Sequence, residues 1–535
     1  MDRVLKKRKN KSKKGRFPIE TKGETDKDAL LRVEHLSSKT EDIRILQDVS
    51  TLSFSNQVQA ILGPTGAGKS SLLSFIAGRK LHADCTGVVL VDREPRSRPW
   101  LCKNIAFLEQ DEALLPTATV RETLEFAARL RLSTSLSDLQ IGEKVAALID
   151  ELNLTDRADS YIGGDAFFRG LSGGEKRRVS IGEQFIQEPR ILVLDEPTSG
   201  LDSETTMLLL RLLKRYVSEE KGRTVIMSVH QPNGEVMTMI DRLCLMANGR
   251  VVFDGPTTSA KSFFTSNGFQ IPKNFNPTDH YLSVITKRDS ATALTQSFTS
   301  LRRAAANEEH KSISHTQFPP HATMMAGTQF KESLGPGASW CAQFRCILIR
   351  NARQWWRDPV MLFAETLEYV GSGILIGMLF FRLPDTKYSG TLNRTSLFGF
   401  LLLILSFVPS FTTITKFDRQ RGLLKREPTS GLYTFSAYYA AMTVMSWAVR
   451  LSLSFVCGSL ACFMPGLRTD VFGRYISVIM VLIHPPLPQI IPQPAQLASA
   501  RRTVATTQRT IFIETIGRAR VLITRSSSHE ASATF

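Results

Sequence analysis

Cysteine is scarce and its arrangement is uninformative: seven occur in 535 residues, an odd number without metal-ligand spacing, which argues against a disulfide scaffold. The first residues are charged and no apolar stretch of the secretory type follows them, so membrane insertion must use internal spans. No internal repeat is visible, and each nucleotide motif described below occurs once. Acidic residues are in deficit, 50 against 67 Lys and Arg, which leaves a formal net charge of +17. Such an excess suggests nucleic acid or an anionic membrane, but much of it is local. The block from Lys6 to Arg16 (KKRKNKSKKGR) holds no apolar residue. That is the composition of a disordered tail, whether merely solvated, touching anionic lipid, or read as a nuclear address.

Single cores usually stop growing at about 250 to 300 residues, so this length implies two parts. The mean hydropathy of −0.07 resembles that of a soluble protein. The apolar residues are segregated, however, and crowd between Val360 and Ile483.

Residues 30 to 286 alternate short β-rich runs with helical patterns, through Val58–Leu62, Ser71–Ile76, Val88–Val91, Ile191–Leu194 and Thr224–Val229. This alternation predicts a parallel sheet with crossover helices. Residues 287 to 338 are polar, rich in Ser, Thr, Ala and His, and read as a linker. From Trp340 to Trp356, Phe344, Ile347, Leu348 and Trp355 recur at helical spacing against Arg345, Arg350 and Arg353. The pattern suits a helix on a membrane surface over residues 339–359, or a packing helix of a soluble protein.

Three apolar spans follow: Val360–Phe381, Thr395–Thr415 and Phe435–Met464. Each is long enough to cross about 30 Å of hydrocarbon at about 1.5 Å per residue. The segment between the second and third carries Lys416, Arg419, Arg421, Lys425 and Arg426 against Asp418 and Glu427, which places it on the cytosolic side. A fourth candidate from Val471 is interrupted by Arg474 and ended by His484-Pro-Pro, too short to cross. Glu365, Glu368 and Arg450 lie within apolar spans, where ionisable groups mark a substrate path or pair within the bundle. Residues 484–535, with five prolines, six arginines and no lysine, read as an aberrant, out-of-frame or unspliced, or disordered tail.

Gly63-Pro64-Thr65-Gly66-Ala67-Gly68-Lys69-Ser70 follows an apolar run and precedes the helical pattern SLLSFIAGRK. Strand, loop and helix are the context a phosphate-binding loop needs. Converging backbone N–H groups and the helix N-terminus attract phosphate oxygens, Lys69 adds a point charge and the Ser70 hydroxyl suits Mg²⁺. By itself this loop leaves kinases, GTPases and ATPases open. Ile191-Leu-Val-Leu-Asp195-Glu196 is a buried-strand pattern ending in two acids, placing Asp195 toward Mg²⁺ and Glu196 toward an attacking water.

Leu171-Ser172-Gly173-Gly174-Glu175, ending 20 residues before Asp195 and followed by KRRVSIGEQFIQ, resembles the signature sequence of ABC ATPases. Gln110 after IAFLEQ, Ser199-Gly-Leu-Asp202 after the acids and His230 after TVIMSV complete that family's order. The resemblance implies an α/β P-loop ABC ATPase domain followed by an all-α transmembrane domain, here about three complete helices and a partial fourth. It implies ATP and Mg²⁺ as cofactors, with Gly63 through Ser71 cradling phosphate and Ser70, Gln110 and Asp195 reaching the metal. Each ATP then sits between two cassettes, with Ser172, Gly173, Gly174 and Asp202 also binding nucleotide, the signature residues from the opposite copy. Glu196 is the implied general base or water orienter, His230 contacts the γ-phosphate, and Gln110 links the metal to the membrane-facing surface.

A cassette preceding its membrane region, the stretch LPTATVRETLEFAARLRL, Asn393-Arg-Thr and KREPTSGLYTFSAYYAA are similar to the G subfamily, the White-type half-transporters. The similarity covers residues 30 to 483; the family has six spans, of which the last two and most of the fourth are missing here, and Leu36–Thr40 offers no aromatic for adenine. The expected organisation is a basic tail (1–29), a nucleotide-binding domain (30–286), a linker (287–338), an interface helix (339–359), a partial membrane domain (360–483) and the C-terminal tail (484–535). The implied protein is an integral, multi-pass membrane subunit with a cytosolic cassette. It pairs as a homodimer or heterodimer with a second half-transporter, contacts membrane lipid and exports a hydrophobic or amphipathic substrate, with no nucleic acid as partner. A truncated partner subunit that retains only the ATPase cassette, non-transporting or dominant-negative, and a soluble ABC protein acting on nucleic acid or ribosomes stand as alternatives.

Overall fold

The structure, a computed structural model, describes residues 28–464 except 41–42, 80–83, 111–112, 133–135, 165–169, 221, 274, 311–337, 383–391, 394, 398, 402–403, 405–421, 425 and 429. Two compact units divide the chain. The first holds the described residues up to Cys346 together with Leu423–Phe435, and the second holds Ile347–Gly422 and the residues from Ser436 onward.

Ten strands belong to the first unit: β1 (Ala29–Thr40), β2 (Ile43–Phe54), β3 (Val58–Leu62), β4 (Asp84–Val91), β5 (Glu94–Pro95), β6 (Ile105–Leu108), β7 (Ile191–Leu194), β8 (Thr224–Ser228), β9 (Arg242–Ala247) and β10 (Arg250–Pro256). They form a six-stranded sheet of order β10-β9-β3-β8-β7-β6 and a four-stranded sheet of order β2-β1-β4-β5. Strands β3, β6, β7, β8 and β9 are parallel where they pair, while β10 runs antiparallel to β9. The predicted parallel sheet is thus present, with one correction. Val88–Val91 lies in β4, which pairs antiparallel with β1 in the smaller sheet. Its alternation of half-buried and buried positions reflects a sheet covered on one side, unlike the wholly buried β3, β7 and β8.

The helices are α1 (Lys69–Ile76), α2 (Arg98–Asn104), α3 (Val120–Arg131), α4 (Asp138–Glu151), α5 (Gly173–Phe185), α6 (Ser203–Glu219), α7 (Gly234–Thr238), α8 (Thr257–Ser266), α9 (Pro277–Thr286), α10 (Arg288–His310), α11 (Trp340–Arg357), α12 (Pro359–Leu379) and α13 (Phe435–Phe463). Three of them start with reciprocal capping boxes, Thr119 with Glu122, Ser137 with Gln140 and Ser172 with Glu175. In each, a hydroxyl accepts an orphan helix N–H while the acid or amide three residues on returns to the cap backbone.

The stretch read as a linker from residue 287 begins instead as α10, a 23-residue helix. Its polar composition conceals an apolar face: Ala291, Leu294 and Phe298 are buried, and the Phe298 ring meets Phe253 and Phe263 at 6.0 Å. Thr292, Thr295 and Thr299 turn their hydroxyls back to carbonyls one turn earlier, so they do not oppose the helix. Arg302 donates to the Ser50 carbonyl at 2.9 Å, fastening α10 to β2. Residues 311–337 and most of the basic tail lie outside the described residues.

In the second unit, α12 and α13 form where the first and third apolar spans are predicted, and both are long and apolar enough to cross a membrane. Tyr369, Ile376, Leu397, Leu401, Cys457 and Ala461 make a shared core. Gly373 lets the helices approach, since a methyl there would lie 3.0 Å from the Cys457 carbonyl oxygen. Phe363, Leu367, Leu375, Trp447 and Phe455 remain exposed on the outside, the inverse of a soluble bundle. Glu365 is buried and accepts the Trp355 indole N–H at 3.1 Å, so that tryptophan serves an intramolecular contact. Most of the predicted span Thr395–Thr415, and everything from 465 on, including the fourth candidate and the tail 484–535, lie outside the described residues.

Candidate functional site

The nucleotide loop begins where β3 ends and closes into α1. Gly68, the cap of α1, has φ 96° and no side-chain cap, a left-handed conformation that suits glycine. The uncapped first-turn N–H groups therefore face outward as an anion cradle. Lys69 is 6% exposed and its Nζ donates to the carbonyls of Gly63 at 2.8 Å and Pro64 at 3.3 Å. Burial pushes its ammonium down from the ordinary lysine range, opposed by Glu196 and Asp195.

Parallel pairing brings the remaining residues to the same edge of the sheet. Leu108 pairs with Leu194, Leu194 with Met227, and Ile61 with Ser228. The residues just past β3, β6, β7 and β8 are therefore Gly63, Gln110, Asp195–Glu196 and His230. Ligands of open parallel sheets bind at this carboxyl edge. Gln110 Nε2 donates to Glu196 Oε2 at 3.0 Å. Glu196, His230, Ser199 and Asn233 line a cleft of about 370 Å³.

Two residues that sequence reasoning missed hold this arrangement. Ser228 donates its hydroxyl to Asp195 Oδ1 at 2.6 Å and accepts the Glu196 N–H at 2.8 Å. Arg177, buried on α5, spreads its guanidinium over the carbonyls of Glu109, Gln110, Asp195, Glu196 and Pro197 at 2.9 to 3.3 Å. Glu196 has φ 45°, uncommon for a residue with a side chain. Its amide and carbonyl are both held, as that conformation requires. The one signal for Arg177 was its place in the basic run Lys176-Arg177-Arg178, in which both arginines prove to be buried.

Ser172–Gly174 stands apart. Among the described residues no hydrogen bond joins it to Gly63–Ser71, and the exposed Ser172 is engaged with Glu175 at 2.9 Å. A Cβ on Gly174 would fall 2.3 Å from Thr205 Cγ2, whereas one on Gly173 meets nothing within 4 Å. Gly174 thus packs the signature helix on α6, and Gly173 leaves open backbone at a helix N-terminus. Asp202 caps α6 by accepting Thr205 N–H at 3.2 Å, and Thr205 holds its carboxyl below the usual range.

Residues 46–199 match the family described as ABC transporter, and residues 342–484 and 230–303 match two families described as ABC-2 type transporter. Over 481 residues the chain is 34% identical to the broad substrate specificity ATP-binding cassette transporter ABCG2 of Mus musculus, covering 84% of this chain and 70% of that protein. The chain belongs to the G family of ABC transporters. It is 31% identical over 460 residues to ABC transporter G family member 25 of Arabidopsis thaliana, covering 83% and 68% of the two chains. Among solved structures it is similar to cbiO1 of Clostridium perfringens, part of the ABC transporter complex cbiONQ, at 28% identity and TM-score 0.39, over 44% of this chain and 91% of that one. Its N-terminal part is an ABC ATPase domain that binds ATP, its C-terminal part is a membrane domain, and the ATPase domain is cytosolic.

Proposed function

We propose that the chain is an ATP-hydrolysing half-transporter subunit that pairs with a second cassette and exports a hydrophobic or amphipathic molecule such as a lipid, sterol, pigment precursor or drug. The observation that carries this reading is the gathering of Lys69, Gln110, Asp195, Glu196 and His230 at one sheet edge while Ser172 and Gly173 make no bond to it. The signature residues, exposed and set at a helix N-terminus, suit the nucleotide of another copy.

In this reading the Gly63–Ser71 backbone and Lys69 hold the β- and γ-phosphates. Ser70, Gln110 and Asp195 would hold Mg²⁺, which supplies charge neutralisation between the phosphoryl oxygens. Glu196 orients water for in-line attack and takes its proton, His230 donates to the γ-phosphate, and Ser172 with Gly173 of the opposite copy close the other side. Attack breaks the bond between the γ-phosphorus and the bridging oxygen, releasing ADP and inorganic phosphate. Membrane lipid surrounds α12 and α13, and the arginine-bearing α11 lies at the headgroups.

Glu196→Gln removes the proton acceptor with little change in shape, so ATP turnover falls by about 10²- to 10⁴-fold while nucleotide binding persists. Turnover of that variant at the unmodified rate overturns the catalytic assignment. The transport reading requires ATP-dependent movement of a hydrophobic probe across vesicles holding the purified chain, lost in the same variant.

A further inference from the structure

The Ser172 hydroxyl is already committed within its own cassette. It donates to Glu175 Oε2 at 2.9 Å and accepts the Glu175 N–H at 3.3 Å, while the same Oε2 accepts the Ser172 amide at 2.8 Å. A serine hydroxyl has one hydrogen and two lone pairs. An unprotonated phosphate oxygen only accepts, so this hydroxyl reaches the nucleotide of another copy only after withdrawing its hydrogen from Glu175. That move leaves a carboxylate beside a polyphosphate, and like charges repel.

The other oxygen of Glu175 has a partner of its own. Oε1 lies 3.4 Å from Nε of Arg157, which closes the 3₁₀ turn Thr155–Arg157 after α4. The carboxylate is thus divided, with one oxygen on the Ser172 cap and one on a cation. Burial pushes the Glu175 carboxyl up, but the Ser172 amide and hydroxyl, with Arg157 and Arg178, hold it below the ordinary glutamate range. Arg178 is buried on α5 and acts through space, whereas Arg157 touches the carboxylate. The Arg157 side chain is 59% exposed, against 20% for that of Glu175. Exposed pairs add little to stability, so removing this cation leaves the fold in place and the carboxylate less well neutralised.

We propose that Arg157 is a positioning residue which, by holding Glu175, releases the Ser172 hydroxyl to the γ-phosphate bound by the opposite copy and screens that phosphate from the Glu175 charge. This rests on the reading in which ATP is shared between two copies. When the hydroxyl turns outward, Glu175 keeps the Ser172 amide on Oε2 and Arg157 on Oε1, so α5 stays capped. Nucleotide binding at the Gly63–Ser71 loop of the same copy takes no part in the switch.

The test uses the full chain, purified in phosphatidylcholine vesicles, with Arg157→Gln, Arg157→Met, Arg157→Lys, Glu175→Gln and the double variant Arg157→Gln with Glu175→Gln. ATP turnover against concentration and Tm are measured for each. A fluorescent ATP analogue reports binding at the loop in the Ser172→Arg background, where sharing is blocked. Arg157→Gln is expected to lower kcat/KM for ATP at least fivefold, with Tm unchanged and analogue affinity within twofold. Arg157→Met, which keeps an unbranched stem, carries the same expectation, so the outcome does not depend on the folding of one variant. Arg157→Lys keeps the cation and should stay within about twofold of the unmodified chain. With Glu175→Gln no carboxylate remains to be held, and adding Arg157→Gln to it should change kcat/KM less than twofold. An unmodified kcat/KM in Arg157→Gln overturns the proposal, as does an equal loss on both backgrounds, which would place the action of Arg157 elsewhere. Unfolding of both uncharged variants overturns it too, because the residue would then serve the fold. An unmodified chain whose turnover ignores Ser172→Arg would instead mean that the sharing of ATP itself had failed.

Discussion

Ser228 Oγ lies 2.6 Å from Asp195 Oδ1 and donates to it, while the same oxygen accepts the amide of Glu196. A single hydroxyl thereby sets two adjacent acids with different tasks, fixing the orientation of one carboxylate and the backbone of the other. Because Glu196 has φ 45°, its backbone needs such a tether to persist. Ser228→Ala leaves a buried acceptor and donor unmatched, which costs about 1 to 3 kcal/mol. Turnover is expected to fall with a lowered Tm, both checked on the purified chain; unchanged turnover speaks against the tether.

Arg177 gives a sharper outcome. A guanidinium reaches several carbonyls because its donors lie in one rigid plane, and an ammonium does not. Arg177→Lys should therefore lose most ATP turnover despite keeping its charge, with amide exchange rising in residues 109–110 and 195–196. A Lys variant as active and as protected as the unmodified chain contradicts the assigned role.

The two signature glycines should separate. Gly174→Ala puts a methyl 2.3 Å from Thr205 Cγ2, an overpacking expected to cost about 1 to 3 kcal/mol. Thr205→Ser, which removes that methyl, should recover part of the loss. Gly173→Ala meets no atom within 4 Å and should leave Tm unchanged while lowering turnover in the assembled pair. Thermal unfolding and ATP turnover on the same samples distinguish the two effects.

Much of this was legible in the sequence because local rules and function agree there. Apolar run, glycine loop and helix predicted β3, the phosphate loop and α1, and Leu171–Glu175 resembled a signature, although its capping box came only with the structure. Other features depend on contacts made only in three dimensions. Val88–Val91 resembles any short apolar strand, and only its pairing with β1 puts it in the antiparallel sheet. α10 was concealed because its hydroxyl residues satisfy themselves along the helix while Ala291, Leu294 and Phe298 supply a narrow apolar face. Arg177 and Ser228 carry no motif, since their value lies in partners distant along the chain.

Phe298 tests the reassignment of that segment. Its ring is buried against Phe253 and Phe263, so Phe298→Ala should destabilise the cassette by about 3 to 5 kcal/mol. Chemical unfolding of the chain reads the change directly. A loss below about 0.5 kcal/mol, ordinary for a surface position, would return the segment to a mere tether.

The central claim is that each ATP is shared between two copies. Two differently tagged copies, co-expressed and isolated through both tags, test it by ATP turnover. With Lys69→Ala on one copy and Ser172→Arg on the other, sharing leaves one intact site and about half the turnover. Placing both substitutions on one copy destroys both shared sites and abolishes turnover. The reverse pattern, an active pair when both changes lie on one copy and an inactive pair when they are divided, would contradict the account.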